Sequence, residues 1–362
     1  MRRLIAAASE RCVNEHGAVA IVVALTLVIL IGATAFTVDL GTMHLQRRHH
    51  QNSADSGALA IAQDCARRSC PDDENVRASQ YTGLNEDQNV DPGNFGPSET
   101  RAEFLSPGTV QVTVSGNNAP IFRGVLQQGD REVAASATAV WGTPRRLNAL
   151  LPITFSACEY DYLVSQTTTG DPDDLPGPPE PWPPESAEAV FRLKSSNWDE
   201  EGFPCARGPA AQVEPGSWGW LQPNVSPCGT LTEVGQRAAT STGVSPECRD
   251  LWPEFLANVV YLPIYSATCR NQTGECDPSA AGSNTYFEIE GYVGFYLTGY
   301  GFPGLTQSSI FPGSSKSCGG GLGQNPCIIG FFVTGLIPPD QIPPGAIVPG
   351  DTSGVMAARL IE

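Results

Sequence analysis

Residues 18–38 read AVAIVVALTLVILIGATAFTV, twenty-one positions without a charge, and Asp39-Leu40-Gly41 follow at once. As a helix rising about 1.5 Å per residue, this run is roughly 31 Å long, enough to cross a bilayer once. It predicts a transmembrane helix close to the N-terminus, with one large region beyond it. The competing expectation is a cleaved signal peptide. Ala33-Thr34-Ala35 has the small-x-small form of a cleavage site, and the stretch Ala18 to Gly32 has about the length of the longest signal cores. Phe36, Thr37 and Val38 carry the apolar character past that site, which favours an intact anchor.

Charge alone does not orient the span. Arg2, Arg3 and Arg11 precede it with Glu10 and Glu15, while Arg47 and Arg48 follow it. Cysteine usage orients it. Cys12 precedes the span, and the other ten (Cys65, Cys70, Cys158, Cys205, Cys228, Cys248, Cys269, Cys276, Cys318 and Cys327) all follow it. An even set in a chain rich in Gly and Pro reads as disulfides, which persist in oxidising compartments. The expectation is a single-pass protein of the cell membrane, with a cytoplasmic N-terminus and a C-terminal part outside. Cys65–Cys70 is the best local pair, followed by Cys269–Cys276 and Cys318–Cys327.

The formal charge of the chain is -17. Residues 1–17 hold three Arg and two Glu, net +1, so the remainder carries -18. Such a surface repels nucleic acid and anionic lipid and keeps an exported region soluble. Nucleic acid is therefore not an expected partner.

Beyond the span, Ala54, Ala58, Ile61 and Cys65 recur at helical spacing, so the helix is expected to continue. Ser53, Ser56, Gly57 and Ala60 beside that stripe are small. Close approach of another helix is thus possible, and we expect Ala54, Ala58 and Ile61 to form a helix-packing face that serves a partner protein. The bland alternative is that the face packs on its own domain. Pro71 ends the helix, and Cys65–Cys70 would staple that end.

The ordered pattern Gly17-Ala18-Val19-Ala20-Ile21, the apolar span, Val38-Asp39-Leu40-Gly41, Arg47-Arg48, Gln51-Asn52, Ala54-Asp55 and Ala58-Leu59-Ala60 resembles the TadE/TadG-like family of tight-adherence (Flp) pilus assembly proteins. The resemblance covers residues 15 to 66 well and reaches more loosely to Ala139. It implies a single-span protein with a pilin-like exported segment, acting in assembly or anchoring of a surface pilus. The membrane and other pilus-assembly proteins or pilin-like helices would be its partners. Two features depart from the family. Pilin-type members carry Glu at the fifth position after the processing glycine, where this chain has Val22, so processing after Gly17 is not implied. Larger members carry an Asp-x-Ser-x-Ser metal motif, and no such string occurs here.

Further along, residues 67–100 read as polar and loop-like. Thr109 to Val114 and Arg131 to Val140 alternate as strands, with Ile121 to Gln127 a short helix between them. Past Pro144 six stretches read as strands: Leu150 to Phe155, Ala189 to Lys194, Trp218 to Leu221, Val259 to Tyr265, Tyr286 to Thr298 and Cys327 to Thr334. Pro176 to Pro184 is an extended Pro-rich run. The fold class expected is α+β. It comprises residues 1–17 as the N-terminus, 18–38 as the span, 39–144 as a pilin-like helix-plus-antiparallel-sheet domain, and 145–362 as a disulfide-stapled, mostly β domain.

Catalytic chemistry is hard to build from these residues. His16, His44, His49 and His50 are the only histidines and all lie before residue 51. The exported region therefore lacks a base for Ser-His-Asp or Cys-His nucleophiles and lacks histidine for zinc. The three near the span read, with Arg47 and Arg48, as a headgroup-level basic cluster. Acid pairs such as Asp173-Asp174 and Glu200-Glu201 could serve a glycosidase, but adjacent acids are ordinarily solvated. Asp87-x-Asn89-x-Asp91-x-Gly93 opens like a calcium loop, yet its glycine is one place late and Ser98 stands where Glu is needed. We expect no catalytic residue, no metal and no cofactor. A membrane-anchored adhesin or carbohydrate-binding protein is the alternative. It rests on Trp182, Trp198, Trp218, Trp220, Trp252, Tyr292, Phe295, Tyr296, Tyr300 and Phe302, should they line a surface rather than a core. Asn224-Val225-Ser226 and Asn271-Gln272-Thr273 match the glycosylation pattern, which the bacterial resemblance makes silent.

Overall fold

The structure, a computed structural model, describes residues 16–86, 95–122, 129–166, 175, 188–192, 205, 218–243, 246–276, 285–318, 326–351 and 354–361. It opens with α1 (His16–Ala66), one unbroken helix of 51 residues. The helix has two halves. From Val19 to Thr34 every residue but Gly32 is exposed, and the exposed set includes Ile21, Val22, Leu25, Val28, Ile29 and Leu30. An apolar surface of that extent is foreign to water. From Asp39 onward one face turns inward, through Gln46, His50, Ala54, Ala58, Ile61 and Cys65.

That inward face lies on a six-stranded sheet. Its strands are β1 (Phe95–Ser106), β2 (Thr109–Asn118), β3 (Arg131–Pro144), β14 (Leu336–Ile337), β15 (Ile347–Pro349) and β16 (Met356–Ile361). The order is β1-β2-β3-β16-β14, with β15 also on β3. All pairs are antiparallel except β14–β16. Val110, Val112 and Val114 alternate inward along β2 and meet Ala54, Ala58 and Ile61, each 0% exposed. Small helix residues against branched strand residues allow close docking of a helix on a sheet. A second helix, α2 (Glu74–Glu86), packs on α1 and β1. Asp73 caps its start, accepting the N–H groups of Asn75 and Val76 at 3.0 and 3.1 Å. Arg77 ties it to Asp64 of α1 at 2.7 Å.

An eight-stranded sheet holds most of the remaining described residues. Its strands are β5 (Ile153–Ser156), β6 (Ala189–Arg192), β7 (Trp218–Trp220), β9 (Arg237–Ala239), β10 (Val259–Cys269), β11 (Tyr286–Phe302), β12 (Leu305–Gln307) and β13 (Cys327–Val333). The path runs β6-β13-β11-β10-β5-β7, and β9 and β12 both pair with β11. β4 (Arg146–Ala149) and β8 (Thr230–Glu233) form a separate pair. A helix, α3 (Ala157–Ser165), follows β5 directly and buries Ala157, Tyr160 and Val164. The core of this sheet is aromatic: the Phe155 ring lies 5.2 Å from Phe191, 4.9 Å from Phe295 and 5.1 Å from Phe332, centroid to centroid.

The two sheets share a third buried cluster, where Ile337 and Ala357 of the first meet Tyr261, Ile289 and Tyr292 of the second. The Tyr261 hydroxyl donates to the Leu336 carbonyl at 2.7 Å. The first sheet therefore draws strands from both sides of residue 144, because the chain returns at its far end to lay β16 beside β3.

Candidate functional site at the foot of the long helix

The junction between the exposed and the docked half of α1 is built around Asp39. Its side chain is 4% exposed, and Oδ1 accepts the N–H of Ile121 at 2.8 Å and of Phe122 at 3.3 Å. The turn after β2 is thereby fastened to the helix one residue beyond the apolar run. Further along the same helix face, apolar packing gives way to amides and an imidazole. Gln46, His50 and Asn118 are each at least nine-tenths buried. Both polar atoms of the Gln46 amide, both of Asn118, and His50 Nε2 have no hydrogen-bond partner among the described residues. Gly116 makes this arrangement possible: a Cβ there would stand 3.1 Å from His50 Nε2 and 3.3 Å from Gln46 Nε2. Burial, and secondarily His49, hold the His50 pKa below its ordinary value.

Beside this polar layer runs an open groove of about 760 Å³, floored by Leu40, Met43, His44 and Arg47 of α1 and walled by Glu132 and Val133 of β3. On the exposed half of the helix the hydroxyls turn inward. Thr26 donates to the Val22 carbonyl at 2.9 Å, Thr34 to Leu30 at 3.0 Å and Thr37 to Thr34 at 2.8 Å. Satisfying each polar group within the helix is what an apolar surrounding demands. α1 is the one described helix long and apolar enough to cross a membrane.

The expected site residues fall into place as follows. The sulfurs pair Cys65–Cys70, Cys158–Cys205, Cys228–Cys248, Cys269–Cys276 and Cys318–Cys327. Ala54, Ala58 and Ile61 belong to the protein's own helix–sheet core, so the expectation that they face a partner protein is corrected: Val110, Val112 and Val114 already cover them. Trp218, Trp220, Trp252, Tyr292, Phe295, Tyr296, Tyr300 and Phe302 are all buried, so these residues line a core and not a surface. Trp182, Trp198, Asp173-Asp174, Glu200-Glu201, the segment Asp87 to Gly93 and the run Pro176 to Pro184 lie outside the described residues. Asn224 is engaged in a hairpin, accepting the Leu231 N–H at 2.7 Å and donating back to its carbonyl at 3.2 Å.

Two arrangements were not foreseen. Cys269, Cys276 and Glu288 bring three potential ligand atoms within 4.8 Å of one another, but both sulfurs are spent on the disulfide, so this is not a metal centre as it stands. Glu188 is a buried carboxylate that accepts three hydroxyls, those of Thr298, of Ser309 at 2.6 Å and of Ser314 at 2.9 Å. It fastens the segment after β12 to β11. A single Glu ahead of a short strand carries no sequence signal for such a role.

Comparison with known proteins fits this geometry. Residues 17–64 match the family model of Flp pilus-assembly TadE/G-like proteins. The matched segment is α1 almost from end to end, both the exposed half and the docked half. It links this chain to Flp pilus assembly. No curated protein and no solved structure matches the chain.

Proposed function

We propose that this protein is a non-enzymatic, membrane-anchored component of Flp-type pilus assembly or anchoring, with residues 1–17 cytoplasmic and the region from Asp39 onward outside the membrane. The observation that carries it is α1: a single helix whose first half is apolar and exposed on all sides and whose second half is committed to its own sheet. Membrane lipid is the solvent that fits the first half. The five disulfides support an oxidising location for everything after the span.

The division of α1 also supports one half of it as the place where partners would meet it. The inward face of the docked half is covered by β2, β3 and β16, so a pilin-like helix or another assembly protein would engage the exposed half within the bilayer. There, packing is driven by shape and by small residues rather than by the hydrophobic effect. Gly32 and Ala33 supply small residues on that half, and a Cβ at Gly32 would meet nothing within 4 Å among the described residues.

Two measurements test this reading. Deleting the chain from its host should abolish surface pili, and re-expression should restore them. Alkaline carbonate extraction should leave protein of intact mass in the membrane pellet. Unchanged pili overturn the assembly role, and a soluble product beginning at Phe36 overturns the anchor.

A further inference from the structure

We propose that the turn after β2, carrying Ile121 and Phe122, rests in the lipid headgroup layer as a second contact between the protein and the bilayer. This rests on α1 crossing the membrane, as proposed above. The charge-free run ends at Val38, and Asp39 is the next residue. Because Asp39 Oδ1 accepts both the Ile121 and the Phe122 N–H, the turn is fastened at the axial level of residue 39. That level is one helical rise, about 1.5 Å, beyond the run. A bilayer with a hydrocarbon core of about 30 Å is about 40–45 Å thick overall, which leaves roughly 5–8 Å of headgroup layer on each side. A turn at this level falls within it.

The side chains agree with the position. Ile121 is 47% exposed and Leu40, one residue past Asp39 on the helix, is 56% exposed. Two elements distant in sequence thus present large apolar side chains outward at one height. Phe104 and Leu105, also exposed, stand at the opposite end of the sheet, where β1 turns into β2. From Thr109 to Asn118 the strand covers roughly 30 Å at about 3.4 Å per residue, which sets that pair far from the membrane. Asp130, Arg131 and Glu132 lie at the Ile121 end with mixed charge, so apolar contact rather than attraction to anionic lipid is the basis of the proposal. With α1 as one attachment and the turn as another beside it, tilting of the sheet relative to the membrane plane is restrained. The second contact fixes how the exported region is presented to the rest of a pilus machine.

Fluorescence quenching in vesicles tests this on the full chain. Cys12, the cysteine outside the five disulfides, is replaced by Ser, and one environment-sensitive dye is attached through Ile121→Cys, Leu105→Cys or Val28→Cys. The vesicles contain phosphatidylethanolamine and phosphatidylglycerol, with nitroxides placed near the headgroup or deep in the chains. Expected is a blue-shifted Ile121 probe that loses about half its emission to the shallow nitroxide, a Val28 probe quenched by the deep one, and a Leu105 probe quenched by neither. Ala119→Cys supplies a second position in the turn should the first variant fold poorly. An Ile121 probe that behaves like the Leu105 probe while the Val28 probe is quenched overturns the second contact and leaves the span standing. Failure of the Val28 probe to be quenched overturns the span, and the inference with it.

Discussion

At the scale of single residues, the inward face of α1 changes chemistry along its length, and the two ends should respond to different perturbations. Ala58 sits in the apolar part at 0% exposure, and the space next to it is already filled: a Cβ on Gly57 would meet Thr82 Cγ2 at 3.2 Å and Val112 Cγ1 at 3.3 Å. Ala58→Leu should therefore destabilise the folded protein by about 1–3 kcal/mol, the usual cost of overpacking. A lowered urea midpoint checks this; an unchanged midpoint with loss of pili would return the residue to an intermolecular role. At the other end, His50 is buried beside Gln46 and Gly116, and its pKa is depressed from the ordinary 6.5. The folded state thus holds the neutral imidazole while the unfolded chain still takes up a proton near 6.5. Below that pH the unfolded state binds more protons, so stability falls as pH drops from about 6.5 toward the depressed folded value and is recovered above it. Thermal midpoints measured from pH 7.5 to 5 should fall more steeply for the parent than for His50→Gln. Equal slopes would remove His50 as the cause.

At the scale of elements, what could be read in the sequence follows the strength of the periodic signal. β10, β11 and β13 are dense in aliphatic and aromatic residues and begin where the expected strands do, at Val259, Tyr286 and Cys327. α2 and β1 escaped because their buried faces are made of small residues. α2 buries Ala78 and Thr82 while exposing Val76, and β1 buries Ala102 while exposing Phe104 and Leu105. Neither pattern yields the alternation or the stripe that marks an element. Asp73 as the cap of α2 was the one local cue available. β16 was illegible for a different reason: MAARLI is a plausible strand, but nothing in it names β3 as its partner. Met356 and Ala358 nonetheless lie in the same core as Ile61 and Val112. Met356→Ala should cost about 2–5 kcal/mol, like other large-to-small changes in a core. The loss should appear in hydrogen exchange of β2 and β3 amides, although residue 356 stands at the other end of the chain. Protection of β2 and β3 that is indifferent to this change would show that β16 is an accessory strand.

At the scale of the whole molecule, the disulfides divide by how much chain they close. Cys65–Cys70, Cys269–Cys276 and Cys318–Cys327 span 5, 7 and 9 residues, short enough to suggest themselves from spacing. Cys228–Cys248 and Cys158–Cys205 span 20 and 47, and ten cysteines admit far too many pairings for spacing to select these two. The long bridge begins at Cys158, in the first turn of α3, and ends at Cys205, which is buried at 4% exposure. The stretch of chain it closes is rich in Pro by sequence. In the chain-entropy model, a loop of that size gives about 4 kcal/mol and a five-residue loop about 2 kcal/mol, by constraining the unfolded chain. Replacing Cys158 and Cys205 together by Ser should therefore cost roughly twice what the same change at Cys65 and Cys70 costs, in urea unfolding of the detergent-solubilised protein. The reverse order would mean that the staple at the end of α1 stabilises the native helix–sheet junction directly, beyond what loop closure in the unfolded chain supplies.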